Sequence, residues 1–214
     1  MSELIVTEIF YSIQGESSHA GLPCAFVRLT GCPLRCSWCD TVYSFKGGKR
    51  MSIDAILETL SSYKTNLVEI TGGEPLAQEN SLPLMEALIQ KGYKVLIETG
   101  GSESIANVHK DVCIIMDIKC PGSKMHEKMM WSNLEHIKSS DEIKFVIASH
   151  EDFLWAVEKI KHYNLESRCR LLLSPAWGLV SPQNLSEWLL ECGVKARLNL
   201  QLHKYIWGPR KKGV

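Results

Sequence analysis

The sequence predicts a parallel α/β fold, and two observations predict it. Short apolar runs of strand length alternate with amphipathic stretches of helix length. The middle runs are rich in Val and Ile or continuously apolar, as strands buried on both faces should be. With 214 residues, a complete eightfold barrel, which usually needs about 250, would have to be unusually compact. A doubly wound sheet is the alternative, yet Gly72-Gly73-Glu74-Pro75 cannot serve as a phosphate-cradling G-x-G-x-x-G.

Strands are expected at 24–30, 67–71, 94–99, 112–118, 143–148, 169–173 and 196–202. The last alternates Leu198, Leu200 and Leu202, a half-buried or edge pattern. Helices are expected between them. Over 52–63, Ile53, Ile56, Leu57 and Leu60 recur at helical spacing behind Ser52 as a cap. Segment 82–91 stops at Gly92, and 151–162 carries Phe153, Leu154, Val157 and Ile160 on one stripe. Ser181-Pro182 opens a helix bearing Leu185, Trp188 and Leu189, and Gly193 closes it. Helical turns are also expected over 101–110 and 124–138.

Composition narrows the function. Lys plus Arg and Asp plus Glu both number 24, so an extended basic footprint for nucleic acid is lacking, and Arg210, Lys211 and Lys212 read as a solvated tail. The first residues mix acids with apolar positions, unlike a signal peptide, and no apolar run reaches membrane-span length. A cytoplasmic, thiol-reducing setting is expected. Of the eight cysteines, Cys24, Cys113, Cys169 and Cys192 read as small core side chains, and Cys120 stays undecided.

The other three crowd into one loop, Gly31-Cys32-Pro33-Leu34-Arg35-Cys36-Ser37-Trp38-Cys39-Asp40-Thr41. Structural zinc wants four ligands, and no second C-x-x-C exists to complete a set. A redox C-x-x-C would leave Cys32 unexplained. A cubane iron–sulfur cluster fits better, because three thiolates leave one iron open to chelate a small molecule.

The spacing C-x₃-C-x₂-C, with Trp38 before the last cysteine, resembles the radical S-adenosylmethionine superfamily, and Thr71–Pro75, TGGEP, agrees with it. That resemblance implies a [4Fe–4S] cluster on Cys32, Cys36 and Cys39, with S-adenosylmethionine held by Gly72, Gly73 and Glu74, the last accepting from the ammonium. It also places Thr99, Ser132 and Ser174 near the carboxylate, ribose or adenine of the cofactor. Lys119 is read either as a site residue at a strand end or as a salt-bridged loop lysine.

Flanking motifs point to a substrate. Ser12-Ile13-Gln14-Gly15-Glu16, Arg28, the Cys32–Thr41 loop, Gly72–Pro75 and Gln201–Lys204 together resemble the 7-carboxy-7-deazaguanine synthase family across the whole chain. Arginine and lysine suit a carboxylate, and Gln14, Glu16 and Gln201 suit the mixed edge of a pterin or guanine. The resemblance implies an abridged, TIM-like (β/α)6 barrel that converts 6-carboxy-5,6,7,8-tetrahydropterin to 7-carboxy-7-deazaguanine with loss of ammonia. It further implies substrate contacts from Ile13, Gln14, Gly15, Glu16, Arg28, Gln201, His203 and Lys204, and a Mg²⁺ ion at Thr41. An external flavodoxin- or ferredoxin-like electron donor and a homodimer are implied as well. One domain over 1–214 is expected, with a substrate-binding segment at 1–23 and an extension at about 196–214.

Two departures from that pattern stand out. Ser17-Ser18-His19 follows where the family commonly has Gly, and Lys124 replaces a glycine in DIKCPGSKM. The rival readings are a glycyl-radical activating enzyme, which shares both cysteine and GGEP motifs, and a non-catalytic zinc or iron–sulfur interaction module. An electron-transfer protein ranks lower, since it would normally ligate every iron with protein.

Overall fold

In the computed structural model, which describes residues 3–214, one nine-stranded sheet carries the molecule. Strand β1 (Glu3–Ile13) runs antiparallel to β2 (Pro23–Leu29) and to β3 (Lys49–Ser52). From β2 the sheet continues in parallel through β4 (Leu67–Gly72), β5 (Lys94–Thr99), β6 (Cys113–Ile118), β7 (Glu142–Ile147) and β8 (Arg170–Pro175). A two-residue β9 (Arg197–Leu198) ends it, in the order β3-β1-β2-β4-β5-β6-β7-β8-β9. The architecture is a partial (β/α)6 barrel, left open between its two edges.

Four helices cover one face: α1 (Ile53–Ser61), α2 (Ser81–Gln90), α3 (His150–His162) and α4 (Pro182–Cys192). Their stops and starts follow local chemistry. Ser52 Oγ accepts from Ala55 N and Ser181 Oγ from Asn184 N, while Pro182 opens α4 and Gly193 ends it in the left-handed region. Ile56, Leu60, Leu84, Leu88, Phe153, Ile160 and Leu185 then pack against outward-facing Val27, Ile70, Ile97 and Phe145 in one core. Each such fully buried side chain contributes about 1.5–3 kcal/mol. All four helices share this core, so the doubly wound alternative is not adopted.

The concave face is layered. Phe10, Cys24, Phe26, Leu67, Leu96 and Ile115 form a small apolar cluster. Two residues further along the same strands stand Arg28, Glu69, Glu98 and Asp117, on the same face because side chains alternate with period two. The apolar layer therefore closes the barrel's lower end, and the C-terminal strand ends are polar.

Several expectations are corrected. The sequence reading did not anticipate β1, whose acids interrupt the apolar pattern although Leu4, Val6 and Phe10 are buried. The strand expected at 196–202 shrinks to β9, because Asn199 N donates to Leu173 O and the chain then turns into the short helix α5 (Leu202–Trp207). No α-helix forms over 101–110 or 124–138. Buried Asn133 stitches the two segments, accepting from Ile105 N and donating to Glu103 O, and only 3-10 turns at His126–Lys128 and Trp131–Glu135 remain. Cys24 and Cys120 are buried, and Cys113, Cys169 and Cys192 are partly so.

Candidate active site

Over the polar strand ends opens a cavity of about 820 Å³. Its upper wall is the thiolate loop. The loop is pinned where β2 and β4 end: Gly73 N donates to Leu29 O at 3.1 Å, and Glu74 N donates to Gly31 O at 2.7 Å. The two chains approach so closely that a Cβ on Gly72 would lie 2.2 Å from Leu29 O, and one on Gly73 2.0 Å from Gly31 O. Both glycines are required there for contact, and Gly72, at φ +142°, for conformation as well. On the other side, Ser37 N donates to Ser123 O and Ser37 Oγ to Gly122 O.

Cys32, Cys36 and Cys39 all line the cavity, and no other cysteine does. Among the described residues, no three His, Cys, Asp or Glu side chains converge on the position of a single metal ion. Three thiols on one cavity-lining loop suit a multi-iron cluster, in which each cysteine binds a different iron. Two buried polar atoms of residues that line this cavity, Trp38 Nε1 and Asp117 Oδ1, have no protein partner. Thr41 Oγ1 lies 3.7 Å from Cys39 Sγ, and Asp40 accepts from Lys204 Nζ at 2.7 Å.

The floor is a charge network. Lys144 Nζ reaches Glu16 Oε2 at 2.8 Å, Glu98 Oε1 in close contact, and Asp117 Oδ2 at 3.8 Å. Lys119 Nζ pairs with Asp117 Oδ2 at 2.8 Å. Burial alone would depress the Lys144 ammonium, but Glu16, Glu98 and Asp117 hold its pKa well above the ordinary value. Burial and the neighbouring Glu98 push Glu69 well upward. Burial opposes ionisation of Glu98 too, but Lys144 outweighs it and lowers that pKa, so between the two the charge favours Glu98. Gln14 Nε2 donates to Glu69 Oε2, and Glu16 N donates to Gln14 Oε1.

The chain's far end completes the site. Gln201 Nε2 donates to Glu16 Oε1 at 2.8 Å, and Leu202 N to Gly15 O at 2.8 Å. A Cβ on Gly15 would lie 2.2 Å from His203 Nδ1, so glycine leaves room for that ring. Burial holds the His203 pKa below its usual value, which favours a neutral imidazole.

Comparison with known proteins bears on what this site does. Residues 26–116 match the model of the Radical SAM superfamily. Over 98% of this chain and 99% of its own length, the 7-carboxy-7-deazaguanine synthase of Koribacter versatilis is 48% identical. That of Chlorobaculum tepidum is 42% identical over 99% of this chain and 97% of its own. The chain belongs to the 7-carboxy-7-deazaguanine synthase family. The fold agrees: the crystal structure of QueE from Escherichia coli superposes with a TM-score of 0.80 at 22% identity, covering 95% of this chain and 96% of that one.

As a member of this radical SAM family the protein is an enzyme that uses S-adenosylmethionine and an iron–sulfur cluster. Membership separates the synthase resemblance from the activase and interaction-module readings. Of the residues the sequence singles out, Ile13, Gln14, Gly15, Glu16, Arg28, Trp38, Thr41, Gly72, Gly73, Thr99, Gln201, His203 and Lys204 line the one cavity. Arg28 does so while its Nε donates to Glu8 at 2.8 Å, and Tyr43 OH donates to the same carboxylate oxygen.

Three of the expected cofactor contacts, Glu74, Ser174 and Ser132, are not among the residues that line the cavity. Glu74 is fully buried, accepting from Leu76 N, Thr99 Oγ1 and Gly100 N, so both oxygens have protein donors. Burial pushes its carboxyl up to about 6. Ser174 is buried, and its Oγ accepts from Asn199 Nδ2 at 2.8 Å. Ser132 is exposed on the 3-10 turn whose Trp131 stacks on Tyr163, away from the cavity. The tail is also corrected: residues 209–214 line the cavity rim, with Lys212 Nζ 4.2 Å from the Tyr43 ring centre.

Sequence reading passed over Glu69 and Lys144. The signal was present, since each is a lone charge inside an apolar strand run, and such a charge needs a partner or a ligand.

Proposed function

We propose that the enzyme converts 6-carboxy-5,6,7,8-tetrahydropterin to 7-carboxy-7-deazaguanine with loss of ammonia; the names of its relatives state that product for them. One observation carries the reading. A single cavity joins the three thiols to Gln14 and Glu16 from one end of the chain and Gln201 and His203 from the other. Cys32, Cys36 and Cys39 would each hold one iron of a [4Fe–4S] cluster, which with S-adenosylmethionine supplies the 5′-deoxyadenosyl radical that takes hydrogen from C6 of the pterin.

The chain's residues orient the reactants. Gly72 and Gly73 let the β4 backbone approach the cofactor, and Asp117 and Trp38 line the same cavity. Glu16, with one oxygen on Lys144 and the other on Gln201, accepts from ring N–H groups. Arg28 keeps its terminal N–H fork for the substrate carboxylate while Glu8 holds its Nε. Thr41 Oγ1 would bind a Mg²⁺ ion shared with that carboxylate, a hard oxygen site of the kind this ion takes. Residues 1–23 and 196–214 serve as substrate-binding appendages to a single radical SAM domain, supported by the lining from Ile13–Ser17 and from Gln201 onward.

A flavodoxin- or ferredoxin-like donor supplies the electron. Exposed Trp177, Leu179, Tyr205, Ile206 and Trp207 support a second copy of the chain as partner in a homodimer. No described helix is long and apolar enough to cross a membrane, in keeping with a cytoplasmic enzyme.

The test is anaerobic reconstitution with iron and sulfide, then incubation with the carboxypterin, S-adenosylmethionine, Mg²⁺ and dithionite. Mass spectrometry should find the deazapurine and ammonia. Cofactor cleavage with the pterin left intact would reject the reading.

A further inference from the structure

The β1–β2 loop that carries Gln14–His19 lies outside the sheet, yet it is gripped from across the barrel. Glu142 and Lys144, two residues apart on one face of β7, meet Ser18 and Glu16, two residues apart in the loop. Ser18 donates to Glu142 through its N, at 3.1 Å, and through its Oγ. Three strands, β4, β5 and β6, separate β2 from β7, so these contacts span the lumen instead of following the sheet. Both β7 side chains are almost wholly buried, so neither is a solvated surface charge.

We propose that Lys144 is a positioning residue which, with Glu142, clasps the 14–19 loop and presents Glu16 to the substrate in one orientation. The proposal rests on the reading that Glu16 and Gln201 hold the pterin. A carboxylate has about four lone-pair sites. With Lys144 on Oε2 and Gln201 on Oε1, each oxygen of Glu16 keeps one site for a ring N–H. Lys144 is also the cation common to Glu16, Glu98 and Asp117; among the described residues only Lys119, at Asp117, is otherwise within 4 Å of any of the three. Of the three, Glu16 alone sits on a loop. Repulsion would move that residue first, because Glu98 and Asp117 are fixed on β5 and β6. The Ser17-Ser18-His19 departure from the family pattern falls at the clasp, where Ser18 supplies the second anchor.

The experiment compares Lys144→Met, Lys144→Arg, Lys144→Met combined with Glu98→Gln, and Ser18→Ala, all reconstituted and driven by dithionite. Lys144→Met should raise KM for the carboxypterin about tenfold or more while kcat falls by a smaller factor. Lys144→Arg should restore most of that loss. The double variant, which removes one charge of each sign, should restore part of it, and Ser18→Ala should raise KM by a smaller factor. Amide hydrogen exchange over 15–19 should rise about tenfold in Lys144→Met, a readout that needs no turnover.

Unchanged KM and exchange in Lys144→Met would overturn the proposal. So would equal losses in kcat and KM that neither the arginine nor the double variant relieves. If Lys144→Met does not fold, Ser18→Ala and the double variant decide, and unchanged exchange at 15–19 in both overturns the clasp. A wild-type enzyme that leaves the carboxypterin unconverted sinks the functional reading, while the exchange comparison still judges the clasp.

Discussion

Substituting Gly73→Ala tests the close contact on which the thiolate loop depends. The added Cβ would lie 2.0 Å from Gly31 O and 3.0 Å from Cys32 Cβ, whereas ordinary contact begins near 3.4 Å. The nearest obstacle is backbone, so no side chain can rotate away, and the loop must withdraw by more than an ångström. Withdrawal breaks the 2.7 Å bond from Glu74 N to Gly31 O. Overpacking and the lost bond together cost about 2–4 kcal/mol. In a chain of this length that is roughly 4–16 °C in Tm. Circular-dichroism melts of the metal-free protein read the stability, and iron per chain after reconstitution reads the site. Gly92→Ala is the control: its φ of +83° imposes left-handed strain, but its Cβ meets nothing within 4 Å. Gly73 has no such φ, so its cost is steric. A Gly73→Ala protein with wild-type Tm and full iron would refute the reasoning.

Cys36→Ala should abolish the cluster's visible absorbance and all S-adenosylmethionine cleavage, with the metal-free melt moved by no more than about 1 kcal/mol, since Cys36 is only partly buried. Glu74 makes a pH prediction: its folded value of about 6, against an ordinary 4.5, means the native state binds the proton more tightly. Ionised Glu74 thus costs stability above pH 6, and the cost is relieved as pH falls toward 4.5. Relative to Glu74→Gln, the wild type should gain about 1.6 kcal/mol between pH 7 and 4.5; a flat difference in denaturant titrations contradicts this. Ser132→Ala should leave kcat/KM within about twofold of wild type. Ser174→Ala, by stranding the buried Asn199 amide, should lower stability by about 1–3 kcal/mol with little change in KM. A larger fall in kcat/KM for Ser132→Ala than for Ser174→Ala would show that Ser132 reaches the site.

Local chemistry was legible wherever one segment contains its own reason. Ser52 and Ser181 cap helices because a side-chain oxygen and the amide it serves lie three residues apart. The C-x₃-C-x₂-C spacing and TGGEP could be read in the same way. Strand β1 was obscured because its partners, β2 and β3, tolerate acids on its less buried positions.

What the sequence by itself determined is the run of strands from β2 through β8, the helices α1 to α4, the thiolate loop and the polar groups flanking it, since each is encoded over a few consecutive residues. Only the tertiary structure decided that Glu74 faces inward to Thr99 and Gly100, that Ser132 lies away from the site, and that Lys144 meets Glu16 from 128 positions away. Burial and charge pairing act through space: a carboxylate becomes a ligand contact or a wall fastening according to which donors the folded chain brings to it.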